Sequence, residues 1–159
     1  MISIKRILAP TDFSSHSDGA IRYACEIAEK FSATLHLLHV LQEFVPVFPD
    51  LAVAAALPPE YFEQSEARAI ESLQTILKPE WGKPAEVKRA IRWGNAVESI
   101  CDYATEQDVD LIVIATHGRT GLGHLLLGSV AERIVRESPC PVLTVRSPAK
   151  QTASDKPKE

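Results

Sequence analysis

No apolar run in this chain approaches the ~20 residues needed to cross a bilayer, so a membrane-spanning helix is not expected. Charge of one sign is also missing. Lys and Arg number 17 against 21 Asp and Glu, for a net charge of -4. Nucleic-acid binding calls for a basic stripe, and the basic residues here are scattered. Aromatics make up only 6% and do not interleave with cations, so there is no base-stacking platform. Cysteine is scarce: Cys25, Cys101 and Cys140 are odd in number, far apart, and outside any Cys-x-x-Cys pair. No disulfide framework is expected. Cys25 and Cys101 fall on apolar helix faces and read as buried thiols of a reducing cytoplasm. The opening residues enter a strand pattern without signal-peptide organisation, and a cytoplasmic location follows as an expectation.

What the chain does have is an alternation of strand and helix patterns over 159 residues, a length that suits one domain. Residues 4–10 read as a short strand. Ala20, Ile21, Ala24, Ile27, Ala28 and Phe31 then recur at helical spacing behind a Ser14 or Ser15 cap. Residues 34–40 form a second strand, and a loop rich in Pro and Ala follows. Pro58-Pro59 opens a helix whose apolar face is Phe62, Ala69, Ile70, Leu73, Ile76 and Leu77. Residues 86–92 alternate charged with apolar residues, as an outer strand does. Asn95 and Glu98 have capping-box spacing ahead of a helix with Val97, Ile100, Cys101 and Ala104 inward. Residues 111–116 are nearly all apolar, which predicts a central strand. The last helix runs from Ser129 to Ser138 with Val130, Ala131, Ile134 and Val135 inward, and the last strand is Pro141 to Arg146. The prediction is α/β: a five-stranded parallel open sheet with helices on both faces. A single domain covers 1–147, and the polar residues 148–159 are expected to be a disordered tail.

The segment from Ala115 to Ser129 leaves the fourth strand, passes through a glycine-rich loop and enters the last helix. Glycines allow close backbone approach to an anion, and a helix N-terminus supplies N–H donors and partial positive charge. This predicts a phosphorylated ligand. Other phosphate motifs do not fit. The loop lacks the lysine of a Gly-x4-Gly-Lys-Ser/Thr loop, and Leu126 stands where Gly-x-Gly-x-x-Gly requires its third glycine. No His-x-Gly-His, no Ser-Gly-Gly-x-Asp-Ser and no Ser–His–carboxylate spacing occurs. His36 and His39, three apart on a strand, point to opposite faces and make no metal pair. His16, His117 and His124 lie in loops or at helix starts and are expected to face solvent. In an open sheet, ligands bind beyond the carboxyl ends of the strands where the winding reverses. Asp12 and the glycine loop then face each other across a crevice.

The chain resembles the universal stress proteins over residues 2–146. The resemblance rests on Pro10-Thr11-Asp12-Phe13-Ser14, His39-Val40, Gly94, the run from Thr116 to Gly121, the run from Leu127 to Glu132, and Pro141-Val142-Leu143. It implies the strand order 3-2-1-4-5. It also implies the ATP-binding pattern Gly-x2-Gly-x9-Gly-Ser/Thr, which here reads Ala115-x2-Gly118-x9-Gly128-Ser129. The methyl group of Ala115 replaces a glycine and bears on affinity.

The resemblance supplies a pose for ATP, with Mg²⁺. Pro10, Thr11 and Asp12 would meet the adenosine half, and Val40 the adenine edge through its backbone. Ile114 and Ala115 would line the site. Gly118 would present an N–H to the phosphates, Arg119 would neutralise their charge, and His117 and Gly121 would belong to the same site. Gly128, Ser129 and Val130 would give N–H groups and a hydroxyl to them. Asp12 also fits a plain helix-capping or turn role, and Arg119 a solvated loop. With no base to activate water and no magnesium carboxylate beyond Asp12, hydrolysis is expected to be slow or absent. The expected protein is a nucleotide-binding regulator of a stress response, homodimeric through the last strand, with a protein partner the sequence does not name. A slow ATPase or phosphotransfer enzyme and a nucleotide-free dimeric scaffold stand as alternatives.

Overall fold

The computed structural model describes residues 2–42, 58–117 and 128–146. Five strands make one parallel sheet: β1 (Arg6–Pro10), β2 (Thr34–Leu41), β3 (Glu86–Trp93), β4 (Leu111–Ala115) and β5 (Val142–Val145). Their order is β3-β2-β1-β4-β5, as expected. The chain winds outward from β1 through β2 to β3, returns to β4 beside β1, and winds the other way to β5. The four helices are α1 (Ser15–Phe31), α2 (Pro59–Thr75), α3 (Ala96–Glu106) and α4 (Ser129–Glu137).

Strand alternation builds two cores. Ile7, Leu35, Leu37 and Val113 turn toward α1 and α2, while Leu8, Leu38, Ile112 and Ile114 turn toward α3 and α4. Strands covered on both faces need apolar residues at consecutive positions, which explains the unbroken run in β4 and the run in β2 that only His36 and His39 interrupt. α1 starts where Ser14 Oγ accepts from Ser17 N–H, and α3 where Asn95 Oδ1 accepts from Val97 N–H at 2.9 Å and Glu98 N–H at 3.3 Å.

The apolar stripes prove narrower than the sequence suggests. In α1 Ala20, Ile21, Ala24, Cys25 and Ala28 are buried, but Phe31 is 46% exposed. The helix ends there and Ala33, donating to Ala28 O at 2.8 Å, takes the interior position. In α2 only Ala69 and Leu73 are buried; Ile70 is exposed, and Phe62 packs edge-on to Trp93. In α3 Cys101 is half-buried and Tyr103 is buried in its stead. α4 buries Ala131 and Ile134 and leaves Val130 and Val135 exposed, because nine residues meet the sheet along only one line. Regular pairing of β1 starts at Arg6, not Ile4.

Gly82, in the α2–β3 connection, presses against α1. A Cβ there would lie 2.7 Å from Glu26 Cα and 2.8 Å from Cys25 O. Only a residue without a side chain allows that approach.

The β1–β4 seam is asymmetric. At its amino end Asp110 Oδ2 accepts from Lys5 N–H at 2.7 Å and Arg6 N–H at 2.9 Å. Asp110 N–H in turn donates to Arg6 O at 2.9 Å. The strands pair only at Ile7–Leu111 and Leu8–Ile112, and beyond these they part, whereas β1 pairs with β2 up to Pro10.

His36 is fully buried between β2 and α3. Its Nδ1 lies 3.0 Å from the Tyr103 hydroxyl, and its Nε2 has no hydrogen-bond partner among the described residues. Burial lowers its pKa; nearby Lys88 and Arg6 lower it further, against an opposing pull from Glu86. His39 turns to the other face, toward Phe13, as the alternation along the strand predicts.

Candidate functional site

Where β1 and β4 part, a crevice of about 560 Å³ opens at the carboxyl end of the sheet. That volume is within the usual range of small-molecule sites. Pro10, Thr11, Asp12, Val40, Ile114, Ala115, His117, Gly128, Ser129 and Val130 all line it, each of them an expected site residue. Gly118, Arg119, Gly121 and His124 lie outside the described residues. Ser17, Leu38, His39, Leu41, Gln42, Ala96, Ile100, Thr116 and Ala131 also line the crevice without having been singled out for it.

The β1–α1 turn forms one wall. Thr11 N–H continues the ladder to Leu38 O at 2.9 Å. Thr11 Oγ1 accepts from Phe13 N–H at 3.0 Å and lies 3.0 Å from the Ser17 hydroxyl, both oxygens being buried. Asp12 Oδ1 accepts from Ser14 N–H at 3.0 Å, so this carboxylate shapes the turn and lines the crevice at once. Phe13 has φ 61°, a left-handed conformation that costs a bulky residue ~1–3 kcal/mol. Its ring stacks at 4.3 Å on His39, whose Nδ1–H donates to Thr11 O at 2.7 Å.

The opposite wall joins β4 to α4. Thr116 is buried, and its carbonyl accepts from Gly128 N–H at 2.6 Å. A Cβ on Gly128 would lie 3.0 Å from that oxygen, so glycine is what permits the close junction. The Gly128 N–H is thus committed to Thr116. Among the described residues no side chain caps α4, and its first residues, Ser129 and Val130, line the crevice. His117 is half-buried rather than solvated. Its Nδ1 is 3.0 Å from Thr116 Oγ1, and its ring lies 6.4 Å from that of His16.

A carboxylate turn, a strand edge at Val40 and a helix N-terminus therefore converge at the point where the sheet reverses its winding. These features define a doubly wound α/β protein with a ligand crevice at its strand ends. The model of the universal stress protein family matches residues 3–146. A universal stress protein of Methanocaldococcus jannaschii, MJ0531, is 34% identical over 151 residues, covering 92% of this chain and 85% of that one. The solved structure of MJ0577, from the same organism, superposes with a TM-score of 0.75 at 29% identity, covering 93% of this chain and 99% of that one. The chain belongs to the universal stress protein family. Two further solved members share the fold. One is in complex with cAMP, with 24% identity, a TM-score of 0.62 and coverage of 91% of this chain and 98% of that one. The other, from Archaeoglobus fulgidus in complex with dAMP, has 20% identity, a TM-score of 0.58 and the same coverage.

Proposed function

We propose that this chain is an adenine-nucleotide-binding regulatory module of the stress-protein family, taking ATP with Mg²⁺. The observation that carries the reading is the convergence of Asp12, the Val40 strand edge and the α4 N-terminus on one crevice. The adenine edge meets backbone groups near Val40, the ribose meets the Asp12 turn, and the phosphates lie against the first turn of α4 and Ser129. Gly118, Arg119 and Gly121 complete the phosphate side. Family structures holding cAMP and dAMP support an adenine nucleotide as the class of ligand.

Mg²⁺ fits only as a companion of the phosphates. Among the described residues no group of three His, Cys, Asp or Glu is arranged to hold a metal, and Asp12 is the one carboxylate among those lining the crevice. Bound nucleotide then acts by biasing conformation and partner choice, with turnover slow or absent. The proposed molecule is one domain over residues 1–147, acts in the cytoplasm, and dimerises through the β5 edge, where apolar strand surface needs a partner.

Titration calorimetry tests the reading, with ATP expected to bind more tightly than GTP because backbone groups read the adenine edge. Equal affinities, or no heat with either, overturn it. Denaturing the purified protein and chromatographing the supernatant shows independently whether nucleotide is carried.

A further inference from the structure

The Asp12 turn is held by two side chains to which the nucleotide reading gives no part. Phe13 follows Asp12 in a left-handed conformation that a bulky residue keeps only when its surroundings hold it there. Its ring lies 4.3 Å from that of His39, inclined at 34°. His39 is 8% exposed and donates Nδ1–H to Thr11 O at 2.7 Å. One imidazole therefore grips the turn on both sides of Asp12, at the carbonyl before it and the ring after it. The grip is closed from within by Phe13 N–H on Thr11 Oγ1 and Ser14 N–H on Asp12 Oδ1, each at 3.0 Å. His39 also immediately precedes Val40, so the contact that fixes the turn ties it to the end of β2.

We propose that Phe13 and His39 are positioning residues for the nucleoside end of the crevice. The stacked pair holds the turn in the conformation that brings Asp12 to the crevice wall, at a fixed spacing from the Val40 edge. This inference rests on the nucleotide reading of the crevice. Neither residue needs to touch the ligand. Their effect is confined to the adenosine half, because the phosphate wall is built separately from Thr116 and Gly128.

The test compares adenosine, ATP and inorganic triphosphate on wild type, Phe13→Gly, Phe13→Tyr and His39→Phe. Phe13→Gly accepts the left-handed backbone and lacks the ring. It should weaken adenosine and ATP alike by about tenfold, the scale of one misplaced hydrogen bond to a charged group, and leave inorganic triphosphate unchanged. Phe13→Tyr keeps the ring and should retain wild-type affinity. His39→Phe keeps a ring but has no donor for Thr11, and should also lose adenosine. Amide exchange at Ser14 gives a readout without ligand, since Asp12 holds that N–H; it should quicken in Phe13→Gly while the amides of β2 and β4 keep their wild-type rates. Unchanged adenosine affinity or unchanged Ser14 exchange in Phe13→Gly overturns the proposal. Equal weakening of adenosine and inorganic triphosphate overturns its confinement to one wall. A wild-type chain that binds no adenosine fails the nucleotide reading itself, and this proposal with it.

Discussion

Lowering the pH should destabilise this protein through His36 in particular. The buried imidazole has one nitrogen on Tyr103 and the other without a partner among the described residues, and its pKa is lowered below the ordinary 6.5. The cause is burial first, then the positive charges of Lys88 and Arg6, with Glu86 opposing. A depressed base fixes the sign. Below its ordinary value the unfolded chain takes up a proton that the folded chain refuses, so stability falls as pH drops and levels off below the folded value. If His36 stays neutral over the range, moving from about pH 7.5 to about pH 5.5 costs about 1.4 kcal/mol from this residue alone. His36→Gln keeps an amide for the Tyr103 hydroxyl and removes the titration. Urea unfolding of both chains at the two pH values isolates the residue, because every other group contributes equally to both. The wild type should lose more than the variant, by at most about 1.4 kcal/mol. Equal losses would mean that His36 is protonated as readily in the fold as out of it, and would refute the reasoning.

Three other outcomes are expected. Gly128→Val forces a side chain against the Thr116 carbonyl, 3.0 Å from the position of its Cβ, and should open the junction of β4 with α4; calorimetry should show ATP weakened far more than adenosine. Gly82→Ala sets a methyl group 2.7 Å from the α1 backbone, which has no side chain to swing aside; thermal or urea unfolding should show a loss of about 1–3 kcal/mol. Thr144→Pro removes a donor from the edge strand β5 and should shift the proposed dimer toward monomer by light scattering on a sizing column, whereas an unaltered dimer would move the interface off this strand.

The parallel sheet was legible in the alternation of strand and helix patterns, but its order came only with the family resemblance, because periodicity does not say which strands are neighbours. Helix faces were legible in direction and not in width. Periodicity marks Ile70, Val130 and Val135 as apolar, but the line of contact between a helix and a twisted sheet decides which of them is covered. Cys25 was correctly read as a buried thiol; Cys101 lost its place to Tyr103, whose hydroxyl had His36 to meet. At the site, Asp12, Val40 and Gly128 stand out because glycine spacing and strand ends are sequence properties. The grip of His39 on Thr11 is not one, since it depends on the register that sets β2 beside β1. Gly82 carried no signal either. It sits in a connection without periodicity, and its role comes from a helix more than fifty residues earlier.

The asymmetric seam between β1 and β4 gives the sheet a fastened end and an open end. Asp110 fastens the amino end with two N–H contacts, and the strands are bonded for two positions before they part. On one side lies a jaw of three strands carrying Asp12 and Val40; on the other, a jaw of two strands with α4 on its face. On the face opposite α4, α1 and one apolar core run across both jaws, so the parting of the strands is confined to their carboxyl ends. Asp110→Ala would loosen that fastened end, nearly 100 residues in sequence from the turn at Asp12 and at the opposite end of the seam from the ligand crevice.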